Sequence, residues 1–156
     1  MLRVLFDTNI YGFITLDKLY GSLLTEKIKQ DQDFQVHNFR VIRNELRNAK
    51  NMLPLYDRIT TNRVITITPF IEEIAIEYFR EYKKIGGIQK ETNNFMNDLR
   101  IVACASFKGF DIIYSDDNNT MCSELAKNSY LKVNIKHKLR TPYFHSYNVL
   151  KKSFGL

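Results

Sequence analysis

The chain alternates short apolar runs rich in β-branched residues with longer segments in which apolar residues recur every three or four positions. Five runs are typical of strands: 3–6, 34–38, 64–68, 111–115 and 131–135. Helical spacing marks 16–31, 39–52, the segment from Pro69 to Gly86, 94–109 and 120–128, and the tail 140–155 is expected to form a loop and a short helix. This alternation predicts an α/β fold with a mostly parallel sheet.

The length of 156 residues predicts one domain spanning 1–156 with a hydrophobic core of its own. No apolar run approaches the roughly 18 residues that a membrane-spanning helix needs, and the N-terminus lacks the pattern of a signal peptide. We therefore expect a cytoplasmic protein without a membrane partner. Cys104 and Cys122 match no zinc-binding spacing, and we expect both to be inert buried thiols.

Positive charge is concentrated in the last fifth of the chain. All 17 acidic residues lie at or before Glu124, whereas 125–156 holds seven Lys and Arg residues and no acid. Such a segment suggests a polyanionic partner, because phosphate contacts dominate nucleic-acid affinity. A solvated charged face is the alternative, and the charge pattern alone leaves both open.

Two acids directly follow predicted strands. Asp7 follows the run Val4-Leu5-Phe6, and Asp116 follows the strand that ends at Ser115. Parallel α/β sheets bind ligands at the carboxyl ends of their strands, so these positions are candidates for chemistry. Because Asp, Thr and Asn also cap helices, the stretch from Asp7 to Asn9 has a purely structural alternative as a helix N-cap.

Two further acids lie on the apolar faces of predicted helices. Glu45 shares a face with Val41 and Ala49, and Asp98 shares a face with Ile101. An unpaired carboxylate on an apolar face costs several kcal/mol of desolvation. Asp98 has an alternative as a first-turn acid that favours the helix dipole.

Four carboxylates brought together would repel one another and raise one another's pKa values. A divalent cation removes that penalty, and a site of oxygen ligands without Cys or His favours Mg²⁺ or Mn²⁺ over zinc. Such sites suit the cleavage of phosphodiesters.

The order of these motifs resembles the PIN-domain family of metal-dependent ribonucleases, which includes VapC-type toxins. The resemblance rests on VLFDTN, NELRNA, NDLRIVACA and IIYSDDNN, and it spans the chain. It implies a three-layer α/β/α PIN-like fold and an acidic quartet that holds Mg²⁺ or Mn²⁺: Asp7, Glu45, Asp98 and Asp116. It also implies four residues that support the acids: Thr8, Asn9, Ser115 and Asn118.

The implied activity is hydrolysis of RNA by a metal-activated water, with backbone contacts from Lys136, Lys138 and Arg140. A homodimer and a protein antitoxin are further partners that the resemblance suggests. The doublet Asp116-Asp117 leaves the fourth acid open by one residue, and we prefer Asp116 because it follows Ser115. A non-catalytic RNA- or protein-binding module on the same fold is the alternative function.

Overall fold

The computed structural model describes residues 1–49 and 51–156, and within them five strands alternate with eight helices. The strands are β1 (Leu2–Phe6), β2 (Phe34–Phe39), β3 (Thr60–Ile65), β4 (Ile112–Tyr114) and β5 (Tyr143–His145). The helices are α1 (Thr8–Leu16), α2 (Gly21–Gln30), α3 (Arg40–Leu46), α4 (Leu53–Ile59), α5 (Pro69–Lys84), α6 (Asn93–Lys108), α7 (Glu124–His137) and α8 (Tyr147–Ser153).

The sheet has the order β3-β2-β1-β4-β5, and every neighbouring pair is parallel. Helices flank this sheet and form a three-layer α/β/α PIN-like fold, so the predicted fold class is confirmed. The central strand is β1, whose residues Val4, Leu5 and Phe6 are fully buried. Helix α5 packs against both α6 and α7, and α1, α2 and α4 form a second group.

The strand order reverses at β1, since β2 lies on one side of it and β4 on the other. The carboxyl ends of β1 and β4 are adjacent, with Phe6 paired to Tyr114. The chain therefore delivers Asp7 and the segment that begins at Ser115 to one edge of the sheet. Sequence reasoning placed the functional residues at this edge.

The strand predicted over 131–135 is wrong, because one helix, α7, covers Glu124–His137. The helix predicted over 120–128 exists, but it begins at Glu124 and continues through the segment predicted as a strand. Ser123 caps this helix by accepting the N–H of Ala126 at 3.3 Å. The alternation Leu-Lys-Val-Asn-Ile resembles a strand, but the buried face of the helix includes the polar residues Ser129 and Asn134. These polar residues interrupt the apolar stripe by which a helix is recognised.

Several other boundaries shift. The helix predicted over 16–31 is α2, Gly21–Gln30, and a separate helix that this range does not cover, α1, precedes it from Thr8 to Leu16. The segment predicted as one helix over 39–52 begins with α3 and is followed by α4, and Lys50 within it lies outside the described residues. The strand predicted over 64–68 is β3, Thr60–Ile65. The start at Pro69 and the left-handed end at Gly109 (φ 68°) are confirmed.

In the part of the chain that the structure describes, no helix is both long and apolar enough to cross a lipid bilayer.

Candidate functional site

Asp7 lies at the carboxyl end of the central strand and is only 4% exposed. Its Oδ1 accepts the backbone N–H of Thr8 at 2.8 Å, which makes Asp7 the N-cap of α1. Its Oδ2 accepts the hydroxyl of Ser115 at 2.8 Å and the amide N–H of Asn9 at 3.3 Å. Burial raises the pKa of Asp7, and the hydrogen bonds from Ser115 and Thr8 oppose that rise. The capping role is therefore real, but it occupies only one carboxylate oxygen.

Asn9 and Ser115 join the ends of β1 and β4. The amide N–H of Asn9 also donates to Ser115 Oγ at 3.4 Å, and Asn9 Oδ1 accepts the backbone N–H of Asp116 at 3.4 Å. Ser115 Oγ in turn accepts the N–H of Asp117 at 3.1 Å. The geometry thus places both residues against the Asp7 carboxylate, as the sequence predicted, and holds the loop after β4 close to it.

Glu45 reaches the same edge from α3, which begins directly after β2. Its Oε1 is buried and has no hydrogen-bond partner within residues 1–49 and 51–156. Burial, followed by the negative charge of Asp7, raises the pKa of Glu45 to about 7. The side chain therefore points into the protein toward Asp7, as expected from its place on an apolar face.

Asp98 lies in the second turn of α6, and its Oδ2 accepts the hydroxyl of Thr120 at 3.0 Å. Burial raises the pKa of Asp98 to about 8, the charge of Asp7 adds to the rise, and Asp117 and Glu45 contribute further. Thr92 caps α6 by accepting the N–H of Phe95 at 3.2 Å, so capping is not the task of Asp98.

The two neighbouring acids after β4, Asp116 and Asp117, make different contacts. Asp117 Oδ1 accepts the N–H groups of Asn119 (3.2 Å) and Thr120 (3.0 Å), and its Oδ2 accepts the Thr120 hydroxyl. Thr120 thus links Asp117 to Asp98, and the charge of Asp117 contributes to the raised pKa values of Asp98 and Asp7. Asp116 Oδ1 instead accepts the N–H of Tyr147 at the start of α8, at 3.3 Å.

The preference for Asp116 as the fourth acid is therefore not supported by the geometry. Electrostatic coupling joins Asp7, Glu45, Asp98 and Asp117, whereas Asp116 is turned toward α8. Sequence spacing could not separate the two, because both follow the strand. The sequence analysis did not identify Thr120 as a residue that contacts the acids. Its position three residues after Asp117 was the one sequence feature that could have indicated this contact.

The donor set fits a hard divalent cation, since every candidate ligand is a carboxylate oxygen. The unpartnered Oε1 of Glu45 is the atom that most needs such a partner. Within residues 1–49 and 51–156, no three His, Cys, Asp or Glu side chains already form a group that could hold a metal ion. The carboxylates are instead held by Ser115, Asn9 and Thr120, close enough to raise one another's pKa values.

Two residues that the sequence predicted to support the acids differ in what they contact. Thr8 donates its backbone N–H to Asp7. Asn118 is exposed, and its backbone N–H donates to the carbonyl of Asp116 at 3.1 Å. The structure thus places Thr8 at the Asp7 carboxylate and turns Asn118 toward solvent.

The cations predicted to contact RNA lie away from these acids. Arg140 pairs with Asp111 at 2.7 Å, and Asp111 precedes β4, whereas Ser115 follows it. Arg140 is therefore at the opposite edge of the sheet from the acids. Lys136 pairs with Glu77 at 3.1 Å near the end of α7, and Lys138 is the left-handed residue that ends this helix (φ 58°). The structure does not bring these three to the acidic edge.

No protein-family model matches the chain, and no curated protein matches it in sequence. Solved structures do match its fold. VapBC2 from Rickettsia felis, crystallised with a DNA fragment from the promoter, aligns with a TM-score of 0.61 at 12% identity, over 93% of this chain and 98% of the matched chain. VapBC-1 from nontypeable Haemophilus influenzae aligns with a TM-score of 0.56 at 12% identity, over 94% of this chain and 99% of the matched chain. At this identity the likeness establishes the fold.

Proposed function

We propose that this chain is a Mg²⁺- or Mn²⁺-dependent endoribonuclease that uses Asp7, Glu45, Asp98 and Asp117 as its acidic site. The observation that carries the proposal is the buried Oε1 of Glu45, which has no hydrogen-bond partner among the residues that the structure describes. The negative charge of Asp7 also raises the pKa of this carboxylate. Burying such a carboxylate costs several kcal/mol of desolvation. Carboxylates of this kind are concentrated at functional sites, where an apolar side chain could not replace them.

Hydrogen bonds from neighbouring side chains hold the acids of this site in position. Ser115 and Asn9 fix the Asp7 carboxylate, which leaves that residue in one orientation at the end of a rigid strand. Thr120 holds Asp98 and Asp117 together from the opposite side. A divalent cation, when bound, would supply the positive charge that offsets the mutual repulsion of the carboxylates and the Lewis acidity that phosphodiester hydrolysis requires.

The biological setting that we propose is a toxin–antitoxin pair, in which a VapB-like protein would bind this chain. The support is the fold shared with the two VapBC structures over nearly the whole length of both chains. We also propose a cytoplasmic location. A homodimer is proposed from the resemblance of the sequence motifs to the PIN-domain family.

Cleavage of a single-stranded RNA in the presence of Mn²⁺ tests the proposal. We expect cleavage by the wild type that EDTA abolishes, a loss of about 100-fold or more in Asp117→Asn, and nearly unchanged cleavage in the matched control Asp116→Asn. If Asp116→Asn alone is inactive, the assignment of the fourth acid is wrong. If the wild type binds RNA but does not cleave it in Mn²⁺, the chain is a binding module on this fold and the enzymatic proposal is refuted.

A further inference from the structure

The edge strand β5 carries an aromatic side chain that packing does not require. Tyr143 is 73% exposed, yet it lies at the start of a strand that pairs with β4 on one side only. Its ring stacks on His145 with centroids 6.3 Å apart and ring planes 15° apart. The two rings lie on the same face of the strand, as residues two positions apart do. Together the exposed ring of Tyr143 and the partly buried ring of His145 form an aromatic ladder at the edge of the sheet.

A cleft beside this ladder opens between β5 and α7. It has a volume of about 340 Å³ and is lined by Lys127, Leu131, Thr141, Pro142, Tyr143 and Phe144. Phe144 faces away from the ladder and stacks on Tyr130, and the Lys127 ammonium lies 5.9 Å from its ring centroid. The cleft therefore combines two aromatic rings, an aliphatic floor and a cation.

The strand that carries the aromatic ladder ends beside the acidic site. The carbonyl of His145 accepts the backbone N–H of Ser115 at 2.9 Å, and Ser115 is the residue that holds Asp7. Tyr143 lies two residues further back along the strand, about 7 Å at the rise of a β-strand. A chain that lay along β5 would thus run from the amino edge of the sheet to the proposed site of cleavage.

We infer that the β5 edge, with Tyr143 and Lys127 as its main contacts, binds unpaired nucleotides of a single-stranded RNA that continues along this strand to the acidic site. Aromatic side chains that alternate with cations are the chemistry that binds single strands, because every base has a face that can stack. This inference rests on the proposed function for its choice of RNA as the polyanion.

Charge favours a nucleic acid over a protein at this edge. Lys127, which lines the cleft, has a side chain that is 37% exposed, and its pairing with Glu124 is long, at 4.0 Å, with a Glu124 side chain that is 88% exposed. The side chain of Arg140, at the amino end of the ladder, is 57% exposed despite its pairing with Asp111. A protein that added a strand here would find only three residues to pair with, fewer than a typical strand.

Binding is tested without cleavage, in EDTA, by the fluorescence anisotropy of a labelled oligouridylate of about ten nucleotides. We expect Tyr143→Ala to raise the Kd about 5-fold or more, and Tyr143→Phe, which keeps the ring, to stay within about twofold of the wild type. Phe107→Ala is the matched control, since it removes another exposed ring that lies beneath a lysine ammonium, 5.8 Å away. Lys127→Ala should reduce the slope of log K against log salt by about 0.7.

Equal RNA affinity in the wild type and Tyr143→Ala, or equal loss in Tyr143→Ala and Tyr143→Phe, would overturn the inference. Failure of the wild type to bind the oligouridylate would do the same. A dimer in sedimentation velocity that Tyr143→Ala dissociates, with RNA binding unchanged, would assign the edge to a second copy of the chain. Tyr143-dependent binding in EDTA without any cleavage in Mn²⁺ would instead refute the proposed activity and leave this binding surface in place.

Discussion

Replacing the partly buried Glu45 by Gln should stabilise the metal-free protein at alkaline pH. The pKa of Glu45 rises from 4.5 to about 7 because the carboxylate is buried beside Asp7. The folded protein therefore keeps a proton on Glu45 at pH values where the unfolded chain has lost it. Its contribution to stability is complete below about pH 4.5 and is lost as the pH rises through about 7.

The magnitude follows from this pKa shift. A rise from 4.5 to about 7 corresponds to about 3 kcal/mol of unfolding free energy when Glu45 is ionised in both states. Because the Glu45 side chain is partly exposed and solvent screens its charge, we expect about 1–2 kcal/mol. In EDTA, the unfolding free energy of Glu45→Gln should therefore exceed that of the wild type by this amount at about pH 8.5. The two unfolding free energies should converge at about pH 5.

Urea unfolding followed by circular dichroism at a series of pH values measures this difference. Glu73→Gln, which alters an acid on α5 away from the acidic site, is the matched control and should follow the wild type at every pH. Mn²⁺ should reverse the order at alkaline pH, because the amide that Glu45→Gln introduces is a poorer ligand than the carboxylate. The reasoning is refuted if wild type and Glu45→Gln have the same unfolding free energy at about pH 8.5 in EDTA.

Two further substitutions test the contacts around the site and the core. Ser115→Ala removes the 2.8 Å hydrogen bond to Asp7 and should weaken Mn²⁺ binding about 10-fold or more in isothermal titration calorimetry, so unchanged affinity would contradict the positioning role. Tyr78→Phe removes the 2.6 Å hydrogen bond that the buried Asn134 Oδ1 accepts, and it should lower the unfolding free energy measured in urea by about 1–3 kcal/mol. A loss below about 0.5 kcal/mol would contradict a stabilising role of this hydrogen bond.

The sequence predicted the layers and the functional edge because both depend on local patterns. The run Val4-Leu5-Phe6 is apolar on both faces, as a central parallel strand requires, and it proved to be fully buried. The inward direction of Glu45 followed from helical spacing alone. These features depend on periodicity and on burial, which the sequence displays directly.

Other features depend on contacts between distant segments. The strand β5 has only three residues, too few to show a pattern, and its place is fixed by pairing with β4. The buried Asn134 bonds to Tyr78, Ser106 and Thr141, so its polarity is satisfied only in the folded chain. The different surroundings of the neighbouring acids likewise depend on a distant segment, because Tyr147 in α8 donates its backbone N–H to the Asp116 carboxylate.

The charge pattern of the tail showed the sign of its net charge but not where its cations lie in the fold. Seven cations without an acid suggested a polyanion at the end of the chain. In the fold, several of these cations pair with acids from earlier elements, such as Lys132 with Glu81 at 3.0 Å and Lys151 with Asp17 at 3.4 Å. A count along the sequence could not show these pairs, because they join segments far apart in the chain.

The most direct test of the central claim is the thermal unfolding of the wild type and Asp98→Asn in millimolar Mn²⁺ and in EDTA. If the carboxylates form one metal site, Mn²⁺ at about 100 times its Kd should add about 2.7 kcal/mol to the stability of the wild type. That corresponds to a rise of roughly 5–10 °C in Tm for a chain of this size. Asp98→Asn should show only a small part of this rise. The same Tm in Mn²⁺ and EDTA for the wild type, or an equal rise in both proteins, would contradict a metal site built on these acids.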